Sequence, residues 1–219
     1  MSTAASASAR FLVVLDVDST LIHDEVIELL AEHAGSGELV ADITSRAMRG
    51  ELDFEQSLRE RVATLRGLGD DVFGEVAERI RVTDGVPELV EAVHAAGGLV
   101  GVVSGGFHEL VDGLAEGLGL DRWRANRLEV VGGVLTGVVD GAVVDAAAKE
   151  ESLRSWAADA GVPLRRTVAI GDGANDLKMM GAAALSVAFC AKPAVRAKAN
   201  LAVETRDLSQ VLPLLGLRG

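Results

Sequence analysis

Three short runs rich in Val, Leu, Ile and Ala, at Phe11–Leu15, Leu99–Val103 and Thr167–Ile170, each break off into a polar or glycine-rich turn. Continuous apolar runs of this length suit parallel strands buried on both faces, because helices cover both sides of such a sheet. Helix-like stretches follow each run, and weaker strand signals lie at Leu185–Ala188 and Leu201–Val203. The expected fold class is therefore α/β, a parallel sheet flanked by helices. The turns are Asp16-Val17-Asp18-Ser19-Thr20, Ser104-Gly105-Gly106 and Gly171-Asp172-Gly173-Ala174-Asn175-Asp176. Open α/β sheets bind ligands at the carboxyl ends of their strands, so the three turns should share one site.

The chain between the first two strands is too long for one crossover helix. Asp24 to Ile80 has helical periodicity and no convincing strand, which predicts an all-helical cap over residues 24–80 inserted into a core of residues 11–23 and 81–219. Residues 128–145 alternate Val and Leu with Gly, and Asp140-Gly141 between two Val pairs predicts a β-hairpin flap turning there. Residues 1–10 are Ala/Ser-rich without the basic start and apolar stretch of a secretory signal, so a disordered tail is expected. A length of 219 residues fits one domain carrying an insertion.

No apolar run approaches the ~20 residues that span a bilayer. A formal net charge of −12 argues against nucleic acid or anionic lipid as partner, since both need a basic face. The single cysteine, Cys190, forms no internal disulfide and suggests a reducing, cytoplasmic setting. His23, His33, His94 and His108 lack ligand-like spacing.

Taken singly, the turns are ambiguous. Asp16 and Asp18 could cap the next helix, although an EF-hand is excluded because Leu21 and Ile27 stand where its Gly and Glu belong. Ser104-Gly105-Gly106 could cradle an anion with backbone amides or be a merely steric turn. Lys149 could be ordinary surface charge. Asp172 and Asp176, added to Asp16 and Asp18, would crowd like charges at about 4 kcal/mol per close pair for an effective dielectric near 20. Such a cluster makes sense with a cation, and an oxygen-only donor set around a small site favours Mg²⁺.

In the order Asp-x-Asp-x-Thr, Ser-Gly-Gly, Lys, Gly-Asp-Gly-x-Asn-Asp, the sequence resembles the haloacid dehalogenase superfamily, whose four motifs match Asp16/Asp18, Ser104, Lys149 and Asp172/Asp176. Asp16–Thr20, Ser104–Phe107 and the unbroken GDGANDLKMM are similar to the phosphoserine phosphatases within it. The resemblance implies a Rossmann-like core and hydrolysis of a small phosphomonoester, phosphoserine, through an aspartyl phosphate on Asp16. It also implies Asp18 as proton donor and acceptor, with Ser104, the Gly105 amide and Lys149 on the phosphoryl oxygens. Mg²⁺ would sit on the Asp16 carboxylate, the Asp18 carbonyl and Asp172, with Asp176 orienting them from behind.

By the same resemblance, Glu25 matches the partner of the substrate ammonium and Arg61 the clamp on its carboxylate. Met48 and Phe54 match apolar lid positions, and Asn175 could reach the substrate from the core side. Without the resemblance, Glu25 and Arg61 could be solvated helix charges, and Met48 and Phe54 ordinary packing. Leu15 stands where relatives often carry an aromatic, and no ligand-sensing domain is expected before Phe11. The expected assembly is a monomer or homodimer. Two rivals stay open: the same fold acting on another phosphomonoester or passing phosphate to homoserine, and a phosphoacceptor signalling module. The second places its acidic pair in the wrong order and lacks a large helical insertion.

Overall fold

The computed structural model describes residues 9–217. Its centre is a seven-stranded sheet in the order β4-β3-β2-β1-β5-β6-β7. The strands are β1 (Leu12–Leu15), β2 (Leu99–Phe107), β3 (Arg122–Val131), β4 (Val134–Asp140), β5 (Thr167–Gly171), β6 (Leu185–Phe189) and β7 (Leu201–Val203). All neighbours pair parallel except β3 and β4.

β1 shows why this segment is a central strand. Its side chains alternate between two apolar clusters, Leu12 and Val14 into one and Val13 and Leu15 into the other, and each is at most 1% exposed. Full burial of such side chains stabilises by about 1.5–3 kcal/mol each. Burial on both faces also fixes the register: Leu15 lies opposite Val102 on β2 and Ile170 on β5. Asp16 therefore emerges level with the end of β5 and with the register shift that follows Val103 in β2, and its amide donates to Ile170 O at 3.0 Å.

Four helices, α1 (Val26–His33), α2 (Gly37–Met48), α3 (Phe54–Ala63) and α4 (Val72–Ala77), follow β1 before the chain rejoins the core near Thr83. Val26, Leu30, Val40, Leu58 and Val62 from this segment share the larger apolar cluster with the sheet. Where the segment leaves and re-enters, the chain pairs with itself. Thr83 N donates to Leu21 O and His23 N to Arg81 O, both at 2.9 Å, and Asp24 Oδ1 accepts from Arg81 Nη2 at 2.6 Å. The remaining helices are α5 (Val86–Ala95), α6 (His108–Leu118), α7 (Ala146–Asp159), α8 (Leu177–Ala182) and α9 (Pro193–Arg196). Among the described residues, no helix is long and apolar enough to cross a membrane.

Three local expectations change. The hairpin turns at Gly132-Gly133, not at Asp140-Gly141, because Asp140 is still paired with Arg127 and both glycines adopt the positive φ that a tight β3–β4 connection needs. The second turn continues strand β2 through Phe107 with a shift of register after Val103, so α6 starts at His108. Residues 1–8 of the expected tail lie outside the described residues, whereas Arg10 N donates to Gly97 O at 2.8 Å.

Candidate active site

The site is assembled where β1 and β5 end and where β2 shifts register after Val103. Asp16 caps the wide turn Val17–Leu21, its Oδ1 accepting from Val17 N at 2.7 Å. Ser19 takes φ +57°, which reverses the chain so that Asp18 Oδ1 accepts from Val26 N at 3.3 Å, at the start of α1. Ser19 Oγ donates to Glu25 Oε1 at 2.7 Å, tying the turn to the helical segment.

From the other side, Asp145 caps α7 by accepting from the Ala147 and Ala148 amides, which places Lys149 in the first turn of that helix. Its ammonium is fully buried and donates to Asp16 Oδ1 at 2.6 Å and to Asp176 Oδ1 at 2.8 Å. Asp176 Oδ2 accepts from Gly173 N at 3.0 Å, so both its oxygens are engaged within the protein. Gly171 permits this arrangement, because a Cβ there would lie 2.4 Å from Asp176 Oδ2.

One oxygen from each of Asp16, Asp172 and Asp176 lies within 4.8 Å of the others. Burial, then the charge of Asp176, pushes the Asp16 carboxyl well above its ordinary range against the opposing pull of Lys149. The same two causes raise Asp172 to about 6. Burial, then Glu25, raises Asp18 to about 7. Burial works against the Lys149 ammonium, but Asp16 and Asp176 outweigh it and hold the proton more firmly than in free lysine. Three clustered carboxylates with one ammonium leave excess negative charge, and an all-oxygen donor set suits a hard divalent cation. The residues present therefore fit a metal site.

In the second turn, Ser104 is fully buried and its Oγ accepts from Gly106 N at 2.7 Å, which leaves its hydroxyl proton for another acceptor. A Cβ on Gly106 would come within 3.1 Å of Asp18 Oδ2 and 3.0 Å of Ser104 Oγ, so a larger residue there would push against both side chains. Asn126 braces the turn, donating through Nδ2 to Gly105 O and accepting from Val144 N, both at 2.8 Å.

Over the turns lies a cavity of about 510 Å³. Asp16, Asp18, Gly105, Asp172 and Asn175 form its floor, and Glu25, Met48, Phe54 and Arg61 reach it from the helical segment. Ser104, Lys149 and Asp176 stand behind the floor, closed from solvent. The Phe54 ring is packed over Gly105, while Met48 is 71% exposed. Burial lowers the affinity of Arg61 for its proton, opposed by Glu25, Asp18 and Glu28, and its Nε donates to Ser57 O at 3.2 Å.

Sequence reasoning singled out the Ser104-Gly105-Gly106 turn but missed Asn126, Thr44, Ser57 and Lys192, the last three cavity-wall residues. Lys192 follows the end of β6, so the strand-end rule that singled out the other turns would have reached it. Asn126 carries no comparable signal, since its role exists only once β3 lies beside β2.

Residues 13–181 match the family model described as haloacid dehalogenase-like hydrolase. The chain belongs to the haloacid dehalogenase-like hydrolases. Within them it is 53% identical over 209 residues to the phosphoserine phosphatase of Streptococcus thermophilus, covering 95% of this chain and 97% of that protein. It is 57% identical to the phosphoserine phosphatase of Streptomyces coelicolor over 95% of this chain but only 51% of that longer protein. A solved structure described as a phospho-aspartyl intermediate analogue of phosphoserine phosphatase superposes with a TM-score of 0.89 at 45% identity, covering 94% of this chain and 99% of that one. Hydrolase family and sheet topology thus agree.

Proposed function

We infer that this hydrolase is a phosphoserine phosphatase, releasing phosphate from O-phospho-L-serine through an aspartyl phosphate on Asp16. The observation that carries the reading is the convergence of Asp16, Asp18 and Asp172 on the floor of a cavity whose opposite wall bears Glu25 and Arg61.

The Asp16 carboxylate attacks phosphorus, forming its O–P bond as the bond from phosphorus to the seryl oxygen breaks. Asp18 gives its proton to that oxygen, and serine leaves. Water then attacks the aspartyl phosphate, Asp18 takes the proton back, and phosphate departs as Asp16 is regenerated. A group that both gives and takes a proton needs a pKa near the working pH, which supports Asp18 in this role given its value of about 7. Ser104 through its free hydroxyl proton, the Gly105 amide and Lys149 serve as donors to the phosphoryl oxygens as their charge shifts.

We assign the divalent cation as Mg²⁺, held by the Asp16 carboxylate, the Asp18 carbonyl and Asp172. When bound, it supplies positive charge to the phosphoryl oxygens and lowers the cost of bringing a phosphate to clustered carboxylates. Asp176 acts from behind, since its oxygens already accept from Lys149 and Gly173 N. Glu25 pairs with the substrate ammonium, and Arg61 presents its planar fork to the substrate carboxylate. Asn175 contacts the substrate from the core side, with Met48 and Phe54 as apolar lid. Residues 24–80 act as a cap, and the hairpin within 128–145 as a flap beside it. The single free thiol, Cys190, is compatible with a reducing cytoplasmic setting.

The test is phosphate release across phosphoserine, phosphothreonine, sugar phosphates and an aryl phosphate, with Mg²⁺ and with EDTA, and with homoserine added as a competing acceptor. Phosphoserine should be hydrolysed fastest, and EDTA should stop turnover. Preferred hydrolysis of another ester, or phosphoryl transfer to homoserine as the main outcome, would overturn the substrate assignment.

A further inference from the structure

The cavity wall carries four carboxylates, from Asp16, Asp18, Glu25 and Asp172, but only two cations, Arg61 and Lys192. Lys149 lies behind the floor, tied to two aspartates. The whole chain is itself acidic, with a formal net charge of −12. A phosphomonoester carrying about −1.5 to −2 charge on its phosphate must enter against that field.

Lys192 is held in the cavity wall by the local fold. β6 pairs parallel with β5, so the turn after Phe189 opens at the same sheet edge as Asp172. Cys190 in that turn holds φ +46°, secured by its amide donating to Val203 O at 2.8 Å. Lys192 N then donates to Asp172 O at 3.3 Å, and Pro193 starts α9 immediately after. The turn is thereby docked on the Asp172 loop, and Lys192 lines the same cavity as Asp172 and Asn175. Among the described residues Lys192 makes no ion pair, whereas Arg196, at the end of α9, is paired with Glu204.

We propose that Lys192 is a substrate-guiding residue, an unpaired ammonium at the cavity mouth that meets the phosphoryl group of the incoming ester. This rests on the phosphatase reading above and leaves the chemical step to the three turns. Arg61 addresses the carboxylate end of phosphoserine, so the two wall cations divide the two anionic ends of the substrate between them.

The experiment compares wild type, Lys192→Met, Lys192→Arg and Lys198→Met on phosphoserine and on an aryl phosphate, each from low to high ionic strength. Lys198→Met removes the same charge from outside the cavity wall and controls for net charge. Lys192→Met should lower kcat/KM about tenfold on both esters at low salt, keep kcat within about twofold, and flatten the salt dependence of kcat/KM. Inhibition by inorganic phosphate should weaken in parallel, Lys192→Arg should restore most of the loss, and Lys198→Met should behave as wild type. The proposal is overturned if Lys192→Met and Lys198→Met match, or if the loss falls on kcat with the salt dependence intact. Should Lys192→Met affect the aryl phosphate while wild type scarcely uses phosphoserine, the substrate reading fails and the guiding role stands.

Discussion

At the scale of single residues, the site is governed by one ammonium between two buried carboxylates. Removing Lys149 would leave Asp16 and Asp176 facing each other without compensation. Breaking such a buried arrangement typically costs about 3–5 kcal/mol. Lys149→Ala should therefore be inactive and visibly less stable in a denaturant titration. Asp16→Asn removes the proposed nucleophile and one of the crowded charges together. It should lose turnover by several orders of magnitude while its thermal midpoint without metal stays at or above that of wild type. Substantial residual turnover would remove Asp16 from its role. Arg61→Ala should lower kcat/KM on phosphoserine roughly 10- to 100-fold, the worth of a charge-assisted hydrogen bond, and spare an aryl phosphate that has no carboxylate. Equal losses on both esters would take specificity away from Arg61.

The elements contribute by where they stop. β5 ends in Gly171, where Asp176 folds back so closely that a methyl group has no room. Gly171→Ala should displace Asp176, and with it Lys149, so calorimetric titration should show weakened Mg²⁺ affinity and denaturation a loss of about 1–3 kcal/mol. A variant with unchanged metal affinity would show that Asp176 does not orient the site. The hairpin is held to the helical segment by backbone bonds: Gly67 N to Leu135 O at 2.9 Å, Leu135 N to Leu68 O at 2.8 Å and Asp70 N to Gly133 O at 3.0 Å. These bonds explain the turn at Gly132-Gly133, which lets β4 present its outer edge to residues 67–70. Asp140-Gly141 offered an equally good turn signal in sequence, but local propensity does not register which edge will be occupied.

Across the whole molecule, Asp16, Asp18 and Asp172 all have carboxyl pKa values raised by folding. Without a cation the folded state therefore binds more protons than the unfolded chain. Their contribution to stability is fully present below the unfolded carboxyl value of about 3.9 and is lost as pH rises through about 6 for Asp172 and about 7 for Asp18. A divalent cation on the Asp16 and Asp172 carboxylates would displace the protons that those two groups hold, so the rise in thermal midpoint on adding Mg²⁺ to EDTA-treated protein should be small near pH 5 and large near pH 8. A rise that is equal at both values, or larger in acid, would contradict the metal assignment. The order of chemical groups along the chain was legible from the start, because the Asp16–Thr20, Ser104–Gly106 and Gly171–Asp176 stretches are each a few contiguous residues in or after a recognisable strand, and Lys149 opens a helix. Only the tertiary structure placed Leu15 level with Val102 and Ile170, set Lys149 between Asp16 and Asp176, braced Gly105 with Asn126 and brought Lys192 to the cavity wall. Motif chemistry is local and can be read from neighbouring residues, whereas register and packing arise from burying distant side chains against one another.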